Sequence, residues 1–146
     1  MDEHISILSL MKQDHQIIES LIDSFINSID GPNTDMRYHF EQLEWKLEKH
    51  LFIEEKAIFT FYEPEDVSQG FKMLPTLITQ HNYILNELKN MRKEVNSGQA
   101  PQNIDELKSF LITHRNYEEK DVYPKLEEVL TTEQKKKIID RISELR

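Results

Sequence analysis

The chain is predicted to be an all-α, up-down-up-down four-helix bundle with a short C-terminal helix appended, and three observations carry that prediction. Its 146 residues hold only three glycines and five prolines, against abundant helix-favouring Leu, Glu, Lys and Gln. Its apolar residues recur at steps of three and four, the seam of a helix that buries one face. Its second half also repeats its first. His50-Leu51-Phe52-Ile53-Glu54 returns as His114-Arg115-Asn116-Tyr117-Glu118, each copy is followed by a Glu-Lys pair, Glu55-Lys56 and Glu119-Lys120, and each is preceded by one upstream histidine, His15 and His81. The upstream histidines lie 66 residues apart and the other two 64, so a helical hairpin is duplicated with two residues of slack.

The first helix carries Leu8, Met11, His15, Ile18, Ile22, Phe25 and Ile29, and the turn signal Asp30-Gly31-Pro32-Asn33 ends it. Capped by Thr34 or Asp35, the second carries Met36, Phe40, Leu43, Leu47, His50, Glu54, Ala57 and Phe61 and stops at Glu63-Pro64. The connection from Pro64 to Leu74, with Gly70 inside it, is the least regular stretch and has room for a short helical turn before Pro75 opens the third helix. That helix shows Leu77, His81, Ile84, Leu88, Met91 and Val95 and ends at Ser97-Gly98; the polar linker Gln99 to Asn103 follows. From about Ile104 the fourth helix carries Leu107, Leu111, His114, Glu118 and Val122 as far as Tyr123-Pro124, where a kink or break is expected. A last helix from Thr131 or Thr132 carries Ile138, Ile142 and Leu145, with Thr131 and Gln134 at capping-box spacing. It is expected to pack across the bundle.

Length suits a single domain over residues 1–146. With no cysteine, disulfides and thiolate metal sites are excluded, and any metal has to be held by nitrogen and oxygen. The start Met1-Asp2-Glu3-His4 is acidic with no basic region and apolar run behind it, and no segment reaches the ~18 consecutive apolar residues of a membrane span, so a soluble cytoplasmic protein is expected. Twenty-seven acidic against eighteen basic residues give a net charge of −9, which argues against nucleic-acid and anionic membrane partners. The one basic run, Lys135-Lys136-Lys137, reads as a solvated helix face.

Antiparallel helices joined by short turns bring residues level when they are equidistant from the turn. His15 and His50 straddle Pro32-Asn33, His50 and His81 straddle Glu65-Asp66, and His81 and His114 straddle Ser97-Gly98, each inside an expected break. All four rings therefore fall in one layer, each on a core seam, and Glu54 and Glu118 fall there with them because residues four apart share a helix face. Two carboxylates in a core need a compensating partner, and no Lys or Arg occupies an adjacent seam position. Metal cations ligated by His15, His50, Glu54, His81, His114 and Glu118 meet that need, two per chain because the duplication supplies two equivalent donor sets.

A single histidine on an apolar face is ordinarily a satisfied core residue; four in register with twinned glutamates are not read that way. His4 and His39 lie off the seams and are assigned to the surface. Glu55 and Glu119, rotated ~140° from the ligand face at ~100° per residue, are assigned to salt bridges or to contacts behind the ligands. Tyr117 reads as a packing aromatic rather than a redox group. Glu19 stands four after His15, as Glu54 does after His50, and is a candidate for metal contact although its counterpart in the repeat is Leu85.

At these residues the chain resembles the hemerythrin family, and more closely the bacterial branch called the HHE cation-binding domain, with the pattern H…HxxxE…H…HxxxE over about Leu8 to Glu127. The resemblance implies a non-haem di-iron centre of two iron ions, Glu54 and Glu118 bridging them, His15 and His50 on one iron and His81 and His114 on the other; other divalent metals can replace iron in purified protein. Oxygen-carrying hemerythrins have a second histidine four after the first in the third helix, where this chain has Leu85, and loss of that nitrogen would open a coordination position and argue against simple reversible oxygen carriage. The function expected is binding or turnover of a small ligand, oxygen, nitric oxide or peroxide. Two alternatives stand beside it: a repair factor or iron donor for damaged iron–sulfur centres, whose usual cysteine-bearing N-terminal region is absent here, and a non-enzymatic oxygen or redox sensor or metal-binding module. Sequence does not decide between catalysis and binding.

Overall fold

A computed structural model describes residues 6–59 and 73–146. Six α-helices are described, α1 (Ile7–Ser28), α2 (Asn33–Ile53), α3 (Met73–Asn96), α4 (Ile104–Tyr117), α5 (Tyr123–Val129) and α6 (Thr132–Leu145), and no strand occurs among these residues. Among the described residues two π-helical turns interrupt the line of helices: Glu54–Ile58 continues α2, and Glu118–Val122 joins α4 to α5. The expected end of the second helix at Glu63-Pro64 and any turn in the 64–72 connection lie outside the described residues.

The ends follow local chemistry, with some corrections to the expected bounds. α1 starts with a capping box in which Ser6 and Ser9 exchange side-chain and backbone bonds of 3.0 and 3.1 Å. α2 starts at Asn33, one or two residues before the expected caps, with Pro32 as N-cap; no side chain caps it, and the Pro32 carbonyl accepts from Asp35 and Met36. α3 begins at Met73, so Pro75 lies within its first turn, where a missing N–H costs nothing. At its other end Gly98, with φ +77°, forms a Schellman cap: Gln99 N–H donates to Glu94 and Gly98 N–H to Val95, both at 2.9 Å. α6 opens with the expected box between Thr131 and Gln134.

Consecutive helices of the bundle are neighbours, and α4 packs back on α1 to close it. The turns after α1 and α3 share one end: a Cβ at Gly98 would lie 3.1 Å from Asn33 Nδ2. α6 lies against the first π-helical turn and α1, across the opposite end of the bundle. The seams predicted from sequence are buried as two separate apolar clusters. One, near the two turns, includes Ile22, Phe25, Phe40, Leu43, Leu88 and Leu107; the other, under α6, includes Met11, Ile53, Leu77, Val122, Leu126 and Ile138. Between them all four helices carry polar residues inward. No helix among the described residues is long and apolar enough to cross a membrane. The basic run carries ion pairs on a solvated face, Lys135 with Glu127 at 3.4 Å and Lys137 with Glu133 at 3.7 Å.

Phe25 and Phe40 meet edge to face with ring centroids 5.5 Å apart, both fully buried in the first cluster. Phe40→Ala should cost about 3–5 kcal/mol, and Thr131→Ala, which removes only a cap, about 1 kcal/mol. Urea unfolding measures both, and a Phe40→Ala loss no greater than that of Thr131→Ala would mean that the ring is not packed as described.

Candidate metal centre

The polar layer is built from one residue on each of α1, α3 and α4, one near the end of α2, and the first residue of each π-helical turn. His15, His50, His81 and His114 are 5, 2, 0 and 4 % exposed, and Glu54 and Glu118 both 0 %. The structure thus brings together all six residues singled out from the repeat. Its closest donor groupings are His15, His50 and Glu118 in one set and Glu54, His81, His114 and Glu118 in the other, the atoms of each set lying within 4.8 Å of one another.

The π-helical turns carry the glutamates that serve both sides of the histidine rings. In each, a backbone N–H reaches five residues back, Phe59 to Glu54 and Tyr123 to Glu118, which widens the turn. At the second, Pro124 follows Tyr123 and has no N–H for the ordinary i−4 bond to Lys120, so the widening replaces the expected kink. No proline lies within the first turn, and the widening there has no such cause. In both turns the first glutamate points into the layer and the second reaches around to the far side of a histidine from the other half.

The inner contacts are nearly symmetrical. Glu54 Oε1 stands 2.8 Å from His50 Nε2 and 3.6 Å from His81 Nε2, while Glu118 Oε1 stands 3.1 Å from His15 Nε2 and 3.2 Å from His114 Nε2. Each carboxylate therefore touches one ring of each histidine pair, and the rings of a pair pack edge to face, His15 on His50 at 4.9 Å and His81 on His114 at 5.1 Å. Every Nδ1 points away from the centre to an oxygen: His15 to Glu119 at 2.7 Å, His50 to Asp14 at 3.1 Å, His81 to Glu55 at 3.1 Å and His114 to Gln80 at 2.5 Å. Those acceptors fix the proton on Nδ1 and turn the Nε2 lone pairs inward, the tautomer a metal requires. His50 Nε2, His81 Nε2, His114 Nε2 and Glu54 Oε1 are buried without an aligned hydrogen-bond partner.

Tyr123 closes the layer on the side of the second apolar cluster. Its fully buried hydroxyl donates to Glu54 Oε2 and, at 3.1 Å, to Glu118 Oε2, so each glutamate has one oxygen held by the phenol and one turned to the imidazoles. Burial and the charges of Glu118 and Glu54 push the phenol well above its ordinary pKa, which keeps it a donor. Burial alone would lower His50, but the charge of Glu54 and the bond to Asp14 push it up to about 10. His114 is raised too, burial opposing and Glu118 prevailing. Burial would raise Asp14, but His50, Lys46 and Arg146 bring it down to about 2.

Glu55 and Glu119 lie behind the ligands, as the helix angles suggested. Glu19 is not among the grouped donors; it is ion-paired with Arg115. Tyr117 is partly buried against the second apolar cluster, as a packing aromatic. Leu85 is 38 % exposed, so the position four after His81 lies toward the flank of the bundle. The accessible space is on another side: a cavity of ≈ 30 Å³ between α1, α2 and α4, lined by Ile18, Ile22, Leu47, Leu111 and the rings of His15, His50 and His114, with Glu19 and Arg115 among its residues. His39 is half-buried off the seam, and His4 lies outside the described residues. Sequence reasoning missed Asp14, Gln80 and Tyr123. The first two immediately precede His15 and His81, and Tyr123 stands five after Glu118 where the first half has Phe59, so the repeat itself held the signal.

The hemerythrin HHE cation binding domain matches residues 6–126, most of the chain, and the chain belongs to the hemerythrin family. No curated protein and no solved structure matches it. The family is one of cation-binding domains, and the buried His/Glu layer groups donor atoms that could hold a metal ion.

Two measurements check this electrostatic description. His50 is raised from 6.5 to about 10, so in metal-free protein its contribution to stability is fully present below pH 6.5 and lost as pH rises through about 10; Asp14, lowered from 3.8 to about 2, contributes above pH 3.8 and loses its contribution as pH falls through about 2. The melting temperature in excess chelator should therefore decline from pH 7 to pH 10, whereas metal uptake, which displaces the His50 proton, should tighten over the same range. Tyr123→Phe leaves two buried carboxylate oxygens without their donor and should destabilise metal-free protein by about 1–3 kcal/mol in urea unfolding; an unchanged midpoint would remove the phenol from the layer.

Proposed function

We propose that this member of the hemerythrin family holds two iron ions in the layer, His15 and His50 on one, His81 and His114 on the other and Glu54 and Glu118 shared, and uses them to bind or turn over oxygen, nitric oxide or peroxide. The observation that carries the reading is that His50 Nε2, His81 Nε2, His114 Nε2 and Glu54 Oε1 all lie buried in this layer without aligned partners, while every Nδ1 is satisfied. Buried polar atoms are rarely left so, and imidazole with carboxylate is a donor set suited to iron. The contact of each glutamate with both histidine pairs supports its sharing by two ions.

Bound iron would supply Lewis acidity and electrons to a small ligand. The residues of the chain select and hold it. Where one water needs roughly 10–15 Å³, the ≈ 30 Å³ cavity beside His15, His50 and His114 has room for a two-atom ligand. Its apolar walls favour an uncharged visitor, and Tyr123 keeps the glutamates from swinging away.

Metal analysis should give two iron ions per chain, and saturation at one would overturn the dinuclear reading. Metal should also stabilise the fold by about 2.7 kcal/mol per site at a hundredfold excess over its Kd, on the order of 5–10 °C in Tm for a chain of this size, a gain that chelation removes. Anaerobic loading with ferrous iron followed by oxygen, nitric oxide or peroxide separates the two modes: a spectral change that reverses on removing the ligand means binding, and its consumption means turnover. No response to any of the three would refute the small-ligand reading.

A further inference from the structure

Glu54 and Glu118 each touch one ring of each histidine pair, although only Glu118 groups closely with both pairs; a separate source of difference between the metal positions lies behind the rings. There the two halves of the chain part. Behind His15 and His50 stand two carboxylates, Glu119 at 2.7 Å and Asp14 at 3.1 Å. Behind His81 and His114 stand one carboxylate, Glu55 at 3.1 Å, and the neutral amide oxygen of Gln80 at 2.5 Å. Burial widens the contrast: the Asp14 side chain is 1 % exposed and that of Glu119 20 %, whereas that of Glu55 is 39 %. A charge held away from water is screened less and acts more strongly on the ring it touches.

A carboxylate that accepts from Nδ1–H makes the imidazole a better electron donor at Nε2 than an amide oxygen does, and partners of this kind change metal affinity by about 10–100-fold. Asp14 is itself fixed, by Lys46 at 3.3 Å and Arg146 at 2.9 Å. Those cations offset part of its charge, yet an ionised acceptor still polarises the His50 Nδ1–H more than a neutral one polarises that of His114.

We infer that the two metal positions are unequal: the His15/His50 position takes up metal first, and Gln80 makes the His81/His114 position the weaker. The inference rests on the two-metal reading of the layer. Asp14 and Gln80 act through the histidines as positioning residues.

The test is anaerobic titration of the metal-free chain with cobalt(II), followed by visible absorption and calorimetry. Wild type should fill in two steps of one equivalent each, His15→Ala abolishing the tighter step and His114→Ala the weaker. Gln80→Glu should tighten the second step by about tenfold and draw the two together, and Asp14→Asn should weaken the first by a similar factor. A second step unmoved by Gln80→Glu, or an Asp14→Asn effect confined to the second step, overturns the inference. Saturation of wild type at one equivalent overturns the two-metal reading instead, so the two failures are told apart. Should Asp14→Asn fail to fold by circular dichroism, Gln80→Glu decides alone.

Discussion

Two glutamates with no exposure to water, facing four buried imidazoles and one phenol, set the conditions under which the rest of this protein folds. The four helices that bury the apolar clusters above and below must all pass through this layer, so the layer's charge has to be met before either cluster can close. Among the described residues Lys46 and Arg146 reach Asp14, and Arg115 reaches Glu19 and Glu119, on the outer side of the rings. Positive charge within the layer is therefore either protons on the histidines or metal ions between them. The raised His50 shows the first state, and the inward lone pairs show how the second replaces it.

The π-helical turns carry both glutamates of each adjacent pair. Even on a regular helix Glu54 and Glu55 would face directions ~100° apart, one inward and the other behind the rings. Glu54 faces the inner side of the rings while Glu55 holds His81 from behind, and Glu118 and Glu119 do the same for the other half. Two adjacent pairs thus supply four functional carboxylates.

Much of this was legible in the sequence because periodicity reports burial directly. The seams from Met36 through Ala57 and from Leu77 through Val95 are buried as read, and equidistance from the turns put the histidines in one layer without knowledge of how the helices pack. That argument tolerated a compensation it could not see: α2 runs 17 residues from Asn33 to His50 and α4 only 10 from Ile104 to His114, a difference met partly by a longer connection and partly by a longer run of α3 after His81 in the second hairpin. What was not legible depends on side-chain direction. A step of four was taken to keep Leu85 beside His81, yet the next buried position of α3 after His81 is Ile84, and Leu85 falls on the flank. Asp14, Gln80 and Tyr123 were missed because each acts through a hydrogen bond to a ligand, which leaves no mark on hydrophobic spacing. Reading the repeat position by position, rather than its ligands alone, would have exposed them.

The repeat also shows where such a site can be differentiated. The six donors match in kind between the halves, and a departure at any of them would remove a ligand. The differences fall one layer out: Asp14 against Gln80, Tyr123 against Phe59 and Glu19 against Leu85. Each has a physical consequence on one side only. Phe59 stacks on His81 with centroids 5.9 Å apart and planes 21° apart, covering that ring with hydrocarbon, whereas Tyr123 ties both carboxylates with its hydroxyl. Glu19 binds Arg115 beside a cavity that adjoins His15, His50 and His114, while His81 is absent from its lining. A twofold scaffold alone would make two equal metal positions. The surrounding groups give the two halves of the layer different neighbours and different access.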